Sequence, residues 1–309
     1  MSSCFESILK RCVDAYSENT IRGYEADLKA FSIWCRAEGR EPCPAKPPTI
    51  SSFIEAQIDD LSIATIKRRL CAIKFAHKMA GHPNPTDHAD IKLAVRRAAR
   101  MKRRRPAQAT GMTADMLKQI LEKRPPTLAG LRDTALISVG YDTLCRSAEL
   151  VAMRREHLFA NDANEVSVLI PTSKGDLNGD GRIAYLSPQT ATRLNEWLEE
   201  ADIKEGPLFR GLHTGKVSDR ELDTSSVRRL VKAASRRAGL NPELTAALSG
   251  HSMRVGAAQD MLTAGFDALA IMQAGGWKTP AVVLRYVENA STRELHARRW
   301  QALGNRQKT

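Results

Sequence analysis

The stretch GHSMRVGAAQDMLTAG, residues 250–265, is the most informative part of this chain. It predicts a helix over about residues 252–264 that ends at Gly265, because glycine readily adopts the left-handed conformation at a helix C-terminus. His251 and Arg254 are three residues apart, so they can share one face at the N-terminus of that helix. This geometry suits a phosphate group, although an HxxR pattern alone is weak support for such a site.

The composition narrows the class of protein. The 309 residues include 47 Lys and Arg against 35 Asp and Glu, a net charge of +12, which favours a polyanionic partner such as nucleic acid. No segment approaches the roughly 18 uncharged apolar residues that a membrane span needs, and the N-terminus does not have the pattern of a signal peptide. The six cysteines are widely spaced without a CxxC motif, so we expect no disulfide framework, no metal site and a cytoplasmic location.

A run of positive charge marks a domain boundary. RRAARMKRRR, residues 96–105, has seven positive charges and no negative charge, and PAQATG, residues 106–111, is typical of a break. The length is sufficient for two domains. We therefore predict a helical domain over residues 1–105, a linker over 106–111 and a second domain over 112–309.

The pattern of apolar and capping residues predicts a mainly α fold. The first domain should be a small bundle of four helices. The first is expected over about residues 17–39 and the third over about residues 63–80. The second should start at Ser52, which could form a capping box with Glu55, and the fourth should start at Asp87 or Asp90. In the second domain, VSVLIPTSK (166–174) and RIAYLS (182–187) flank turn residues and predict a β-hairpin. Helices are expected near 189–201, 225–238 and 252–264, with another starting at Pro280.

Six residues in the second domain could together break a phosphodiester bond. Such chemistry without a metal needs a nucleophile, fixed cations that stabilise the charge on the phosphate, and an acid for the leaving oxygen. The candidates in chain order are Arg146, Lys174, His251, Arg254, Trp277 and Tyr286. Each one alone has an ordinary structural interpretation: a solvated arginine, a surface lysine in a turn, a packed tryptophan or a core tyrosine.

Together, the ordered residues resemble the tyrosine recombinase (phage integrase) family. The resemblance includes residues 250–265, IMQAGGW (271–277), SENTIRGYEADLKAFSIWCRAEGR (17–40) and LSIATIKRRL (61–70), and extends from about residue 15 to about 290. It implies a SAM-like, core-binding helical bundle followed by a mostly α catalytic domain with a small β-sheet. It also implies a site-specific recombinase that needs neither metal nor ATP nor another cofactor.

The same resemblance implies a role for each candidate. Tyr286 would attack the scissile phosphate and form a 3′-phosphotyrosine. Recombination would then proceed through a Holliday junction. Arg146 and Arg254 would hold the non-bridging oxygens, and His251 would assist by hydrogen bonding or as a general base. The remaining assignments are Lys174 as general acid, Trp277 where many members have histidine, and Glu149 as the supporting acidic residue.

The resemblance also implies double-stranded DNA with inverted-repeat sites as the partner, bound by a homotetramer on two sites. The candidate DNA contacts are Arg22, Lys67 and Arg68 in the first domain, Arg103, Arg104 and Arg105 at its end, and Arg228, Arg229 and Lys232 in the second domain. A solvated basic face is an equally good interpretation of any one of them. A C-terminal helix within residues 291–309 would pack on a neighbouring protomer.

Two other functions are compatible with these residues. A catalytically degenerate member would act only as a site-specific DNA-binding protein, and would form no covalent adduct with a suicide substrate. A type IB topoisomerase uses similar chemistry but would relax any supercoiled plasmid, without requiring a particular site.

Overall fold

The computed structural model describes residues 3–102, 109–162, 165–170, 181–287 and Trp300. Several predicted functional residues lie outside these ranges: Arg103, Arg104, Arg105 and Lys174. The predicted C-terminal helix also lies outside them, apart from Trp300. The chain divides into two compact units, Met1–Pro106 and Ala107–Thr309, and this division falls within the residues predicted as the linker.

The first unit is helical throughout its described part. Its helices are α1 Ser3–Arg11, α2 Glu18–Ala37, α3 Pro47–Glu55, α4 Ile63–Met79 and α5 Ala89–Met101. The side chains of Ser17 and Ser62 accept hydrogen bonds from the first turns of α2 and α4, as N-caps do. Leu28, Phe31 and Cys35 recur at helical spacing and are buried against the other helices.

Two expectations for this unit are wrong. Helix α1 was not predicted; its Phe5 is fully buried in the core of the bundle. The capping box at Ser52 and Glu55 does not form, because α3 begins five residues earlier at Pro47 and includes both residues. Proline at the first helical position lacks the N–H that would otherwise be unsatisfied, so it starts this helix well.

The second unit combines helices with two small antiparallel sheets. Its helices are α6 Ala114–Glu122, α7 Leu128–Asp142, α8 Ser147–Val151, α9 Pro188–Glu200, α10 Thr224–Arg237, α11 Pro242–Ala247, α12 Ser252–Thr263, α13 Ala268–Gly275 and α14 Pro280–Val287. Its strands are β1 Leu158–Ala160, β2 Val166–Ile170, β3 Arg182–Tyr185, β4 Arg210–His213 and β5 Lys216–Glu221. The predicted mainly α fold class is confirmed.

The predicted hairpin forms as β2 and β3, which pair antiparallel, while β1 adds a third strand beside β2. The hairpin of β4 and β5 was not predicted, because β5 is polar and mostly exposed and so lacks an apolar alternation. Its connection, Thr214–Gly215, has positive φ at both residues, as a type I′ two-residue turn requires.

The core of the second unit is divided between two clusters. The larger one packs α7 and α9 against the three-stranded sheet, with Trp197 and Phe209 fully buried. The smaller cluster joins α12, α13 and α14 through Ala258, Ile271 and Val283, and it also contains Leu144 and Trp277. Of the predicted catalytic residues, Trp277 lies in the smaller cluster and Tyr286 packs against it. Among the helices that the structure describes, none is long and apolar enough to cross a bilayer.

Candidate active site

Helix α12 is fixed by an unusually close backbone contact. The backbone N–H of Met112 donates to the carbonyl of Ser252 at 2.8 Å. A Cβ atom on Gly256 would overlap the backbone of Met112, so only glycine permits this approach. The glycine of the HSMRVG motif therefore allows the preceding segment to lie against the helix that presents Arg254.

Arg254 is a fully buried cation with unused donors. Its side chain has no exposed surface, and one terminal nitrogen donates to the carbonyl of Leu144. Its Nε and Nη2 atoms find no hydrogen-bond partner among the described residues. Burial, and then the positive charge of Arg146, lower the pKa of Arg254 to about 10, so it is still charged at neutral pH. Unused donors on a buried cation are suited to an anionic ligand.

Arg146 is held in place by Glu149. The residue immediately precedes α8, and its backbone N–H donates to Glu149 Oε2 at 3.1 Å. Its guanidinium also pairs with the other carboxylate oxygen of Glu149. The Glu149 side chain is 5% exposed and that of Arg146 is 30% exposed. Glu149 thus binds both the backbone and the side chain of an arginine that keeps access to solvent.

His251 occupies the N-terminal end of α12, and its backbone N–H donates to Ser249 Oγ at 3.2 Å. Desolvation lowers the pKa of His251 below its usual value, and the positive charges of Arg254 and Arg146 lower it further. The imidazole is therefore predominantly neutral at neutral pH, a state in which it can accept a proton.

Trp277 and Tyr286 complete the cluster. Helix α13 is capped at its C-terminus by Gly276, whose φ is +64°, and the next residue, Trp277, has its ring centroid 4.1 Å from the Arg254 guanidinium carbon. The rings of Trp277 and Tyr286 are 5.4 Å apart, measured between centroids. The indole Nε1 of Trp277 is buried and has no hydrogen-bond partner in the described part of the chain. The backbone carbonyl of Tyr286 accepts from Gln259 on α12 at 3.2 Å, which ties α14 to α12.

The structure thus brings together Arg254, Trp277 and Tyr286 by direct contact, with Arg146 and His251 close enough to interact electrostatically with Arg254. Lys174 lies outside the described residues, so its position stays a prediction. The cluster offers fixed cations, unused N–H donors and a phenol at one place. These groups can bind an oxyanion and present a nucleophile to it.

A basic groove adjoins this cluster. It has a volume of about 860 Å³ and is lined by Arg228, Arg229 and Lys232 on α10 and by His251. Arg229 donates to Ser226 Oγ at 2.7 Å and Lys232 donates to the carbonyl of Ala246 at 2.6 Å. Arg236 also lines this groove, and sequence analysis missed it, although it lies one helical turn after Lys232. We call this feature the α10 groove.

The candidate DNA contacts of the first unit differ in their surroundings. Lys67 and Arg22 are both exposed. The guanidinium of Arg22 also donates a hydrogen bond to the side chain of Asn19, one helical turn earlier. Arg68 makes two hydrogen bonds of 2.8 Å to Asp27, which is buried, and thereby joins α4 to α2. This ion pair raises the pKa of Arg68. The side chain of Arg68 is still 59% exposed, and its contact with DNA stays a prediction.

Two further polar residues that support the site were missed by the sequence analysis. Asp260 on α12 accepts hydrogen bonds from the backbone N–H of Ala114, at 2.7 Å, and from the hydroxyl of Tyr141. Burial and this hydrogen bond raise the pKa of Tyr141. The second missed residue is Arg182, whose guanidinium donates to the backbone carbonyls of Ala274 and Thr143. Within the described ranges, no group of three or more His, Cys, Asp or Glu side chains is arranged to hold a metal ion.

Comparison with known protein families identifies both units. Residues 111–293 match the model of the phage integrase family, and residues 11–82 match the SAM-like N-terminal domain of phage integrases. The chain belongs to the phage integrase family of tyrosine recombinases. The family resemblance that the sequence motifs indicated is therefore confirmed, and membership makes the chain a DNA strand-transferring enzyme by family.

Relatives and solved structures agree with this assignment. The chain is 33% identical to an integrase/recombinase XerD homolog of Selenomonas ruminantium, over 91% of this chain and 85% of that protein. It is 27% identical to the Cre recombinase of Escherichia phage P1, over 89% and 85% of the two chains. The fold is similar to that of XerH bound to a palindromic difH substrate, with a TM-score of 0.69, 18% identity and coverage of 97% and 85%.

Proposed function

We propose that this chain is a site-specific tyrosine recombinase that cleaves and rejoins DNA strands through a covalent 3′-phosphotyrosine and a Holliday junction. The observation that carries the proposal is the buried Arg254, whose Nε and Nη2 have no partner in the described structure while its guanidinium stacks on Trp277 beside Tyr286. A buried charge with unused donors is costly unless a ligand satisfies it. A DNA phosphate, with its two non-bridging oxygens, fits that requirement.

The proposed cleavage step forms one bond and breaks another. The phenolic oxygen of Tyr286 attacks phosphorus, and the bond from phosphorus to the 5′ oxygen breaks. The phenolic proton passes to neutral His251 or to water, while Lys174 gives a proton to the leaving 5′ oxygen. The products are a 3′-phosphotyrosine and a free 5′-hydroxyl.

Charge stabilisation requires no metal in this scheme. Arg146 and Arg254 bind the non-bridging oxygens, and the indole N–H of Trp277, which has no partner among the described residues, is a further donor. The ester conserves the energy of the phosphodiester, so a 5′-hydroxyl from a partner duplex can reverse the reaction without ATP. Exchange of two strands in this way produces the Holliday junction.

DNA binding is proposed for the α10 groove and for Arg22, Lys67, Arg68, Arg103, Arg104 and Arg105. The groove supports this role because its cationic side chains line a cavity that also reaches His251. Arginine and lysine can bind both phosphates and base edges. We further propose inverted-repeat sites and a homotetramer on two duplexes, with residues 291–309 packing on a neighbouring protomer.

The decisive experiment traps the covalent intermediate. A binding site is first selected from random duplexes with the wild-type chain, and is then nicked so that the 5′-hydroxyl fragment diffuses away after cleavage. We expect a protein–DNA adduct in the presence of EDTA and without ATP, together with a new 5′-hydroxyl end that polynucleotide kinase can label. The adduct should disappear in Tyr286→Phe.

The controls separate the alternatives. Site-specific binding without an adduct would indicate a catalytically degenerate DNA-binding protein and overturn the proposal. Relaxation of a plasmid that lacks the selected site would indicate a topoisomerase. An adduct that persists in Tyr286→Phe would show that another residue is the nucleophile.

A further inference from the structure

Arg182 joins two chain segments that lead into the site. It is the first residue of β3, where it pairs with Ile170 of β2. Its Nη1 donates to the carbonyl of Ala274 at 2.9 Å, and its Nη2 donates to the carbonyl of Thr143 at 2.6 Å. Nη2 also lies 3.5 Å from the sulfur of Cys145. One half-buried guanidinium therefore contacts residues that precede Arg146 and residues that precede Trp277.

The bond from Arg182 to the Thr143 carbonyl caps the C-terminal end of α7. Thr143 follows the last residue of α7, and the carbonyls at a helix C-terminus lack partners within the helix and carry partial negative charge. The next carbonyl, that of Leu144, accepts from Arg254, and Leu144 itself has a φ of +50°. Two arginines thus bond successive carbonyls in the turn that ends at Arg146. The direction in which Arg146 leaves this turn depends on both bonds.

The bond from Arg182 to the Ala274 carbonyl caps the C-terminal end of α13. Ala274 lies in the last turn of α13, and Gly276 follows in the left-handed conformation. A Cβ atom on Gly276 would lie 2.8 Å from Cδ of Arg182, so the arginine stem packs directly against this turn. The next residue is Trp277, whose ring contacts both Arg254 and Tyr286. Arg182 therefore restrains the backbone from which Trp277 projects.

We propose that Arg182 is a positioning residue for strand cleavage, which holds Arg146 and Trp277 in register by bonding the C-terminal ends of α7 and α13. This inference rests on the proposed function. Both Nη atoms are committed to backbone carbonyls, which leaves the phosphate to Arg146 and Arg254. The positive charge of Arg182 also contributes, after burial and Arg146, to the lowered pKa of Arg254.

The test compares cleavage with binding. Single-turnover cleavage of the nicked, selected site is measured at saturating protein for the wild-type chain, Arg182→Ala and Arg182→Lys. The Kd for the same DNA is measured with each substitution in a Tyr286→Phe background. Arg210→Ala is the matched control, because Arg210 also bonds backbone carbonyls, those of Pro207 and Glu205, but makes no hydrogen bond to the site residues that the structure describes.

We expect Arg182→Ala to lower the cleavage constant about tenfold to a hundredfold, since small displacements of catalytic groups have effects of this size. The Kd should change by less than about twofold, and Arg182→Lys, which can bond only part of the carbonyl pair, should fall between. In a Trp277→Phe background the loss caused by Arg182→Ala should be smaller than in the wild type, because one of the two positioned groups is already altered.

Other outcomes refute the inference. The inference is refuted if Arg182→Ala lowers the cleavage constant no more than Arg210→Ala does. It is also refuted if Arg182→Ala lowers the cleavage constant by the same factor in the Trp277→Phe background as in the wild-type chain. If Arg182→Ala does not fold, as judged by thermal unfolding, Arg182→Lys decides: wild-type cleavage by that variant overturns the inference. Failure of the wild-type chain itself to form an adduct overturns the proposed function, which is distinguishable from a defect confined to the Arg182 variants.

Discussion

Replacing Arg254 with methionine should abolish cleavage and yet stabilise the free protein. Each pKa unit corresponds to about 1.4 kcal/mol, so the lowering of the pKa of Arg254 from its ordinary value to about 10 means that its buried charge costs about 3 kcal/mol at neutral pH. Methionine loses the bond to the Leu144 carbonyl and the stacking on Trp277, together about 1–2 kcal/mol. The net expectation is a gain in the free energy of unfolding of about 1–2 kcal/mol.

The assay is urea unfolding of the DNA-free chain at pH 7, followed by circular dichroism. A gain of this size corresponds to a rise in Tm of roughly 2–8 °C for a unit of about 200 residues. Arg210→Met is the control with the opposite sign, because Arg210 bonds two carbonyls and pairs with Asp219, so its loss should destabilise the fold. If Arg254→Met is destabilised as much as Arg210→Met, the guanidinium of Arg254 is already satisfied in the free protein and the reasoning fails.

Three further predictions concern stability and DNA binding. His77 is buried, its Nε2 accepts a hydrogen bond from the backbone N–H of Ala45 at 2.8 Å, and burial lowers its pKa. Below pH 6.5 the unfolded chain therefore binds more protons than the folded chain. As the pH decreases through this range, the free energy of unfolding should decrease by up to about 1.4 kcal/mol per pH unit. Urea unfolding at pH 7.5 and 5.5 measures this, and an equal slope in His77→Gln would contradict it. Gly256→Ala should destabilise the fold by at least about 1–3 kcal/mol, because the new methyl group would overlap the backbone of Met112; an unchanged Tm would disprove the close contact. Arg228→Gln should reduce the slope of log Kd against log salt by about one if Arg228 binds a phosphate, and an unchanged slope would remove it from the interface.

Local sequence patterns predicted most of the helices because their signals act over a few residues. Ser17 and Ser62 cap the helices that follow them, and the β-branched residues of 166–170 form the expected strand. The same local reasoning placed a helix start at Ser52, where it was wrong. The Pro47–Pro48 pair starts α3 earlier, and burial of Ile50, Phe53 and Ile54 in the bundle keeps the later residues inside the helix.

The family was also accessible from sequence, because the motifs around Arg146, Arg254 and Tyr286 occur in a characteristic order, and the catalytic roles of these residues stay predictions. Their spacing does not reveal contacts between distant segments. Burial of Arg254 with two unused donors, and its contact with Trp277, depend on the packing of α12 against the α13–α14 turn.

Sequence alone therefore determined the helical fold class, the family and the set of groups available for chemistry. Tertiary structure alone decided which of those groups lie in contact, that Arg182 bonds two helix ends, and that Arg236 joins the α10 groove. The physical reason is range. Caps and periodicity act within one or two helical turns, whereas burial, desolvation and bonds to orphan carbonyls arise only when remote parts of the chain come into contact.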